Sequence, residues 1–225
     1  MINATAAVLQ EVGADLTIEE IQLDDPMPNE VLVRTAACGV CHSDLHLQDG
    51  YFSMGGDKQL DVRSGRELPF TLGHEIAGTV EAVGPEVEGI KPGEAYAVYP
   101  WIGCGECDLC TSDRENLCKV QHHLGINVDG GYATHVVVPH SRYLLDVTGI
   151  DPLLAGSYMC SGLTAFAALK KVAGHVAKGP LLITGLGGVG MMGLQFARAL
   201  FPDAVIIAAD IDPAKREMAL QNGAA

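Results

Sequence analysis

Four cysteines, Cys104, Cys107, Cys110 and Cys118, fall in one short segment as C-x2-C-x2-C-x7-C. Closely spaced thiolates on a tight turn supply the soft, tetrahedral ligand set that zinc takes. With all four positions filled by protein, the spacing predicts a closed, structural site. Gly103 and Gly105 flank the first cysteine and leave room for the backbone to wrap an ion. An iron–sulfur cluster uses a similar C-x2-C-x2-C run and is the alternative reading, although no proline follows Cys118. The chain has seven cysteines. An odd count without an export signal favours thiols and metal ligands over disulfides.

A second group is dispersed. Cys41 lies in CGVCHSDLH, His74 in LGHE and Cys160 in MCSGLT. Two cysteines and one histidine make a three-ligand zinc site whose fourth position stays open to a substrate oxygen. Each residue alone has a plainer reading. A buried cysteine commonly acts as a small hydrophobe, and a histidine such as His74 serves as readily as a hydrogen-bonded core residue. Cys38 stands three residues before Cys41, a spacing that also permits a redox pair.

The third feature is Gly185-Leu186-Gly187-Gly188-Val189-Gly190, a G-x-G-x-x-G loop directly after the apolar run Leu181 to Thr184 and before a helical segment. That context is the one a dinucleotide fold requires, with pyrophosphate on the helix N-terminus. Asp210 ends the next apolar run. A carboxylate there accepts from the adenosine ribose diol and repels a 2′-phosphate, which favours NAD over NADP. Lys215 either covers the same ribose or is a solvated helix lysine.

The elements that must position these groups divide the chain near residue 155. Glu30 to Ala37, Ile76 to Val83, Ala95 to Tyr99 and Tyr132 to Val138 read as short strands separated by turn signals, which predicts a β-rich, barrel-like domain over residues 1–155. Tyr51 to Pro69 reads as a long surface loop. Pro152 to Leu169 reads as one helix. Leu181 to Thr184, Val189 to Leu200, Val205 to Ala209 and Ala214 to Gln221 then alternate strand and helix, with Asp212 as cap and Pro213 in the first turn. Residues 156–225 are therefore expected to begin a Rossmann-type, doubly wound parallel sheet, incomplete after about two strands.

Composition sets the class. Of the 225 residues, 48% are hydrophobic and 19% charged, a globular balance, and the formal charge is −14. That charge disfavours nucleic acid and anionic membranes as partners, and no apolar run reaches the roughly 18 residues a membrane span needs. A cytoplasmic enzyme is expected.

Taken together, GVCHSDLH, LGHE, the four-cysteine segment, CSGLT and GLGGVG resemble the zinc-dependent medium-chain alcohol dehydrogenases, in that family's order and over the whole chain. The resemblance implies an α/β protein with a GroES-like catalytic domain and two zinc ions per chain. Cys41, His74 and Cys160 would hold the catalytic ion, and Cys104, Cys107, Cys110 and Cys118 the structural one. It implies that Asp44 orients His74, that Glu75 lies near the metal, and that Ser43 and then His46 take the alcohol proton. His42 would contact pyrophosphate, unless it is only a surface histidine. Thr164 would lie near the nicotinamide, and Trp101 would wall the substrate pocket or else pack the core. Cys160 as third ligand fits the alcohol branch better than the polyol branch, which uses glutamate there. The expected reaction is oxidation of a primary or secondary alcohol to an aldehyde or ketone with hydride transfer to NAD⁺. A homo-oligomer, dimer or tetramer, is expected. Because family members are longer, a non-catalytic zinc- and nucleotide-binding fragment is the alternative function, and a thiol sensor built on Cys38 and Cys41 a third.

Overall fold

The computed structural model describes residues 1–176 and 179–225. The chain folds as two units, Met1–Met159 and Cys160–Ala225.

The first unit opens with an antiparallel hairpin, β1 (Ile2–Leu9) and β2 (Thr17–Leu23). Strand β3 (Val31–Gly39) leads into helix α1 (His42–Asp49). The short strands β4 (Tyr51–Ser53), β5 (Gln59–Asp61) and β6 (Phe70–Thr71) follow. Then come β7 (Glu75–Val83), β8 (Ala95–Val98), β9 (His135–Val138), β10 (Leu144–Asp146) and helix α2 (Pro152–Ala155). The main sheet has the order β10-β8-β7-β3-β9, and a second sheet the order β2-β1-β6. Both stay open, so the barrel-like expectation resolves into separate sheets, none of them closed.

Strand β3 lies between β7 and β9, and its first three residues, Val31, Leu32 and Val33, are fully buried. A run without polar alternation is what a strand covered on both faces requires. Val31 and Val33 join Ile76, Val80, Val98, Val136 and Val138 in the main core. Leu47 of α1 packs with Leu9, Phe70 and Leu72 in a second cluster, which fixes α1 against the strands.

Three expectations need correction. Tyr51 to Pro69 is not simply loop, because β4 pairs with β5 in a small hairpin. The strand expected from Tyr132 begins at His135. The Tyr132 backbone is engaged elsewhere, donating to the Leu72 carbonyl and accepting from the Ala7 amide. Pro152 to Leu169 is not one helix: α2 stops at Ala155, a 3₁₀ turn covers Gly156–Met159, and a new helix starts at Ser161. A side chain at Gly156 would lie 2.2 Å from the Glu75 carbonyl oxygen, so the chain turns there against β7 with no room for one.

The second unit contains α3 (Ser161–Val176), β11 (Leu181–Thr184), α4 (Gly188–Leu200), β12 (Ile206–Ala209) and α5 (Pro213–Gln221). Strands β11 and β12 are parallel, with Leu181 opposite Ile206 and Thr184 opposite Ala209. Asp212 caps α5 by accepting from the Ala214 amide at 2.9 Å, and Pro213 occupies the first turn. Leu169, Leu186, Leu194, Ala197, Ile206 and Ala219 form its core. Among the described residues, no single helix is long and apolar enough to cross a membrane.

Candidate metal and nucleotide sites

The four-cysteine segment folds into a lobe held by two 3₁₀ turns, Cys110–Ser112 and Glu115–Leu117. Its sulfurs converge: Cys104 to Cys110 is 3.9 Å, Cys107 to Cys110 3.6 Å and Cys107 to Cys118 3.8 Å. Sulfurs placed about 2.3 Å from a tetrahedral zinc are about 3.8 Å apart, so the spacing fits that ion. The electrostatics also fit a cation. Backbone amides of Glu106 and Cys107 hold the Cys104 thiol down to about 6, which favours thiolate. Burial and bonds to the neighbouring sulfurs push Cys110 up to about 12, as expected when like charges crowd one spot. Glu115 ties the lobe to the rest of its unit, accepting from the Gly103 amide at 3.0 Å, from Arg142 at 2.8 Å and from the Tyr143 hydroxyl.

The second cluster is assembled by strand pairing. In the β3–β7 register Gly39 faces Glu75, so the turn carrying Cys41 and the turn carrying His74 emerge side by side. A side chain at Gly39 would overlap the Glu75 carboxylate. Ligand atoms of Cys41, His74 and Glu75 lie within 4.8 Å of one another. Cys41 is the N-cap of α1, and its amide donates to Asp44 Oδ2 at 2.9 Å.

His74 is fully buried, and its Nδ1 meets Asp44 Oδ1 at 3.0 Å. A neutral imidazole that donates from Nδ1 presents Nε2 as a lone pair. Burial pushes the His74 imidazole down, but hydrogen bonds to Asp44 and Cys41 outweigh it and carry it up to about 9. The surroundings thus favour positive charge at this point. The donor set of thiolate, imidazole and carboxylate fits a divalent ion such as zinc.

The other expected residues fall as follows. Ser43 is half-buried in the first turn of α1, and His42 is exposed. The rings of His42 and His46 stack at 4.6 Å, and His46 meets Phe52 at 4.6 Å. Trp101 lies 5.8 Å from the His74 ring and 5.3 Å from His123, and its indole N–H donates to the Met159 carbonyl at 3.1 Å. Cys160 is the buried first residue of the second unit. Burial, with the Asp44 charge beside it, pushes the Cys38 thiol up to about 12, which opposes the redox reading of Cys38. No motif singles out Tyr132, whose hydroxyl donates to Asp44 Oδ2 at 2.9 Å.

In the second unit the glycine loop joins β11 to α4. Gly185 has φ +85°, the left-handed region that favours glycine. A side chain at Gly190 would meet the Gly185 carbonyl oxygen at 1.8 Å, so helix and loop touch backbone to backbone. Nothing would obstruct one at Gly187, the N-cap of α4. Open space before amides without intrahelical partners suits an anion. Gly188 and Val189 begin α4, with Val189 partly exposed. Asp210 lies after β12 and accepts the Leu186 amide at 2.6 Å and the Asp212 amide at 2.9 Å. Those backbone bonds hold its carboxyl below the usual range, leaving an anion with acceptor capacity to spare. Lys215 and Thr164 are exposed on α5 and α3.

The profile of the alcohol dehydrogenase GroES-like domain matches residues 27–148, more than half of the chain. A NAD-dependent alcohol dehydrogenase of Saccharolobus solfataricus is 40% identical over 219 residues. The alignment covers 97% of this chain and 62% of that relative, so the chain spans about 62% of its length. Among solved structures, the D-arabinose dehydrogenase from Sulfolobus solfataricus superposes with a TM-score of 0.87 at 30% identity, covering 100% of this chain and 66% of that one. The alcohol dehydrogenase from Aeropyrum pernix gives 0.84 at 31% identity, covering 98% and 63%. With sulfur spacing, buttressed histidine and glycine loop already in place, this match settles the family: the chain belongs to the alcohol dehydrogenases that carry a GroES-like domain.

Proposed function

We propose that the protein acts as a zinc-dependent oxidoreductase that converts a primary or secondary alcohol to an aldehyde or ketone, with NAD⁺ as hydride acceptor. The observation that carries the reading is the fully buried His74, held by Asp44 through Nδ1 beside Cys41 and Glu75. A histidine fixed in this way, next to a thiol and a carboxylate, is built to hold a metal rather than to pack a core.

In this reading Cys41, His74 and Cys160 hold one zinc, and the four-cysteine lobe holds a second. When bound, zinc makes the alcohol hydroxyl a stronger acid and NAD⁺ accepts the hydride. The chain's own groups do the rest. Glu75 stays close enough to exchange with a metal ligand. Ser43 Oγ takes the alcohol proton, and His46 passes it toward solvent, its ring kept in place by His42 and Phe52. Trp101, held through its indole N–H, forms one wall of the alcohol pocket, with Thr164 near the nicotinamide. Gly187, Gly188 and Val189 at the start of α4 would hold the pyrophosphate, and His42 would offer it a further donor. Asp210 accepts from the ribose diol, and its negative charge disfavours a 2′-phosphate there. Thiolate ligands suit a reducing, cytoplasmic setting.

The test is zinc per chain by elemental analysis, followed by NADH formation from a panel of alcohols with and without chelator. About two zinc ions per chain and chelator-sensitive NADH formation are expected. Zinc binding at both sites with no NADH from any alcohol would instead favour a zinc- and nucleotide-binding protein that is not a catalyst.

A further inference from the structure

We infer that Tyr132 is a positioning residue for His74, acting from two sides at once. The inference rests on the metal reading of the Cys41–His74 cluster, and it adds a residue outside every motif that led to that reading.

The first side is polar. Asp44 is 2% exposed, so its carboxylate depends on protein donors. Oδ1 faces His74 Nδ1 at 3.0 Å. Oδ2 accepts from the Cys41 amide and from the Tyr132 hydroxyl, both at 2.9 Å. A carboxylate held at both oxygens cannot rotate, and its direction sets the plane of the His74 ring. Without the Tyr132 hydroxyl, Oδ2 keeps only the Cys41 amide as donor, and the carboxylate is held less tightly against His74. Burial, with Asp44 beside it, pushes the Tyr132 phenol up, so the hydroxyl remains a donor.

The second side is steric. Gly73, the residue before His74, has φ +94°. A side chain there would lie 2.4 Å from the Tyr132 ring and 2.9 Å from Cys38 Sγ. The tyrosine ring therefore fills the space a side chain at residue 73 would take. The Tyr132 amide also donates to the Leu72 carbonyl at 3.0 Å, and its carbonyl accepts from Ala7 at 2.7 Å. Ring, hydroxyl and backbone all act on the segment that presents His74.

The experiment compares wild type, Tyr132→Phe, Asp44→Asn and the double variant. Zinc affinity is measured by chelator competition, and the ligand field by the visible spectrum after cobalt substitution. The four-cysteine lobe is the internal reference. Tyr132→Phe should weaken the Cys41–His74 site by roughly 10-fold, within the 10–100-fold range for partners that orient a ligand, shift its cobalt spectrum and leave the lobe unchanged. In the double variant the affinity should match Asp44→Asn alone, because the hydroxyl acts through that carboxylate. Tyr132→para-aminophenylalanine, which keeps the ring and a donor, should restore affinity and spectrum, and it carries the test if the phenylalanine variant does not fold. Unchanged affinity and spectrum in Tyr132→Phe, full additivity with Asp44→Asn, or no rescue would each overturn the inference. If wild type holds metal only in the lobe, the metal reading itself fails, a distinct result.

Discussion

The two candidate metal clusters of the first unit are built in opposite ways. The lobe takes all its ligands from Cys104 to Cys118, on two 3₁₀ turns with little buried apolar surface of their own. The other cluster draws on Cys41, Asp44, His74 and Tyr132, brought together by the β3–β7 register and the turn before β9. On the metal reading proposed above, the lobe would depend on an ion for its shape, whereas strand pairing sets the second cluster with or without one. Sequence separation between the donors therefore separates a cluster built by local turns from one built by strand register.

The largest expected effect tests the lobe. Structural zinc contributes on the order of 10 kcal/mol to such a fold, more than any core available within the segment. Stripping the lobe's zinc should abolish amide protection across Cys104–Cys118 in hydrogen exchange while β3 and β7 keep theirs. Retained protection in the lobe would erase the contrast.

Next is His74→Ala in metal-free protein. Removing one partner of a buried pair and leaving Asp44 Oδ1 without its donor costs about 3–5 kcal/mol, read as a lower urea midpoint for the first unit. The cluster would thus reveal its stability without metal, and the zinc-loaded variant should form no NADH. A midpoint within error of wild type would mean that the cluster is not preorganised.

The glycine loop offers an intermediate case, local in sequence yet dependent on Asp210 from the next strand. Gly190→Ala places a methyl against the Gly185 carbonyl oxygen and should cost about 1–3 kcal/mol. NADH affinity, followed by fluorescence titration, should fall with it. Ordinary affinity in a folded variant would argue that the loop does not seat pyrophosphate.

The smallest effect sharpens the comparison from the lobe's side. Glu115→Gln weakens the bonds from Gly103 and Arg142 and should cost about 1 kcal/mol, with zinc content unchanged. A loss as large as that of His74→Ala would show that the lobe is also preorganised.

Much of this organisation was legible beforehand because it is local. Strand β11, the glycine loop, α4, β12 and the Asp212 cap follow one another without long-range pairing, and the periodicity and turn signals placed them. The lobe was legible for the same reason. The break at Gly156–Met159 was not, since Pro152 to Leu169 has helical composition throughout. The packing of Gly156 against the Glu75 carbonyl is a long-range contact that local composition does not carry. Tyr132 reads as the start of a strand because it follows the Gly130–Gly131 turn signal, whereas its backbone is bound to Ala7 and Leu72.

By itself, the sequence determined the donor chemistry: which residues offer thiolate, imidazole and carboxylate, and where a loop without side chains can meet a phosphate. Spacing suffices for the four-cysteine lobe because its thiols share one short segment. The tertiary structure decided the rest. It chose which nitrogen of His74 faces Asp44, set Cys38 near that carboxylate, which pushes its thiol up, and recruited Tyr132 to Asp44 from 88 residues away. The reason is physical: hydrogen-bond direction and burial are properties of packed neighbours, and strand register, not chain order, selects those neighbours.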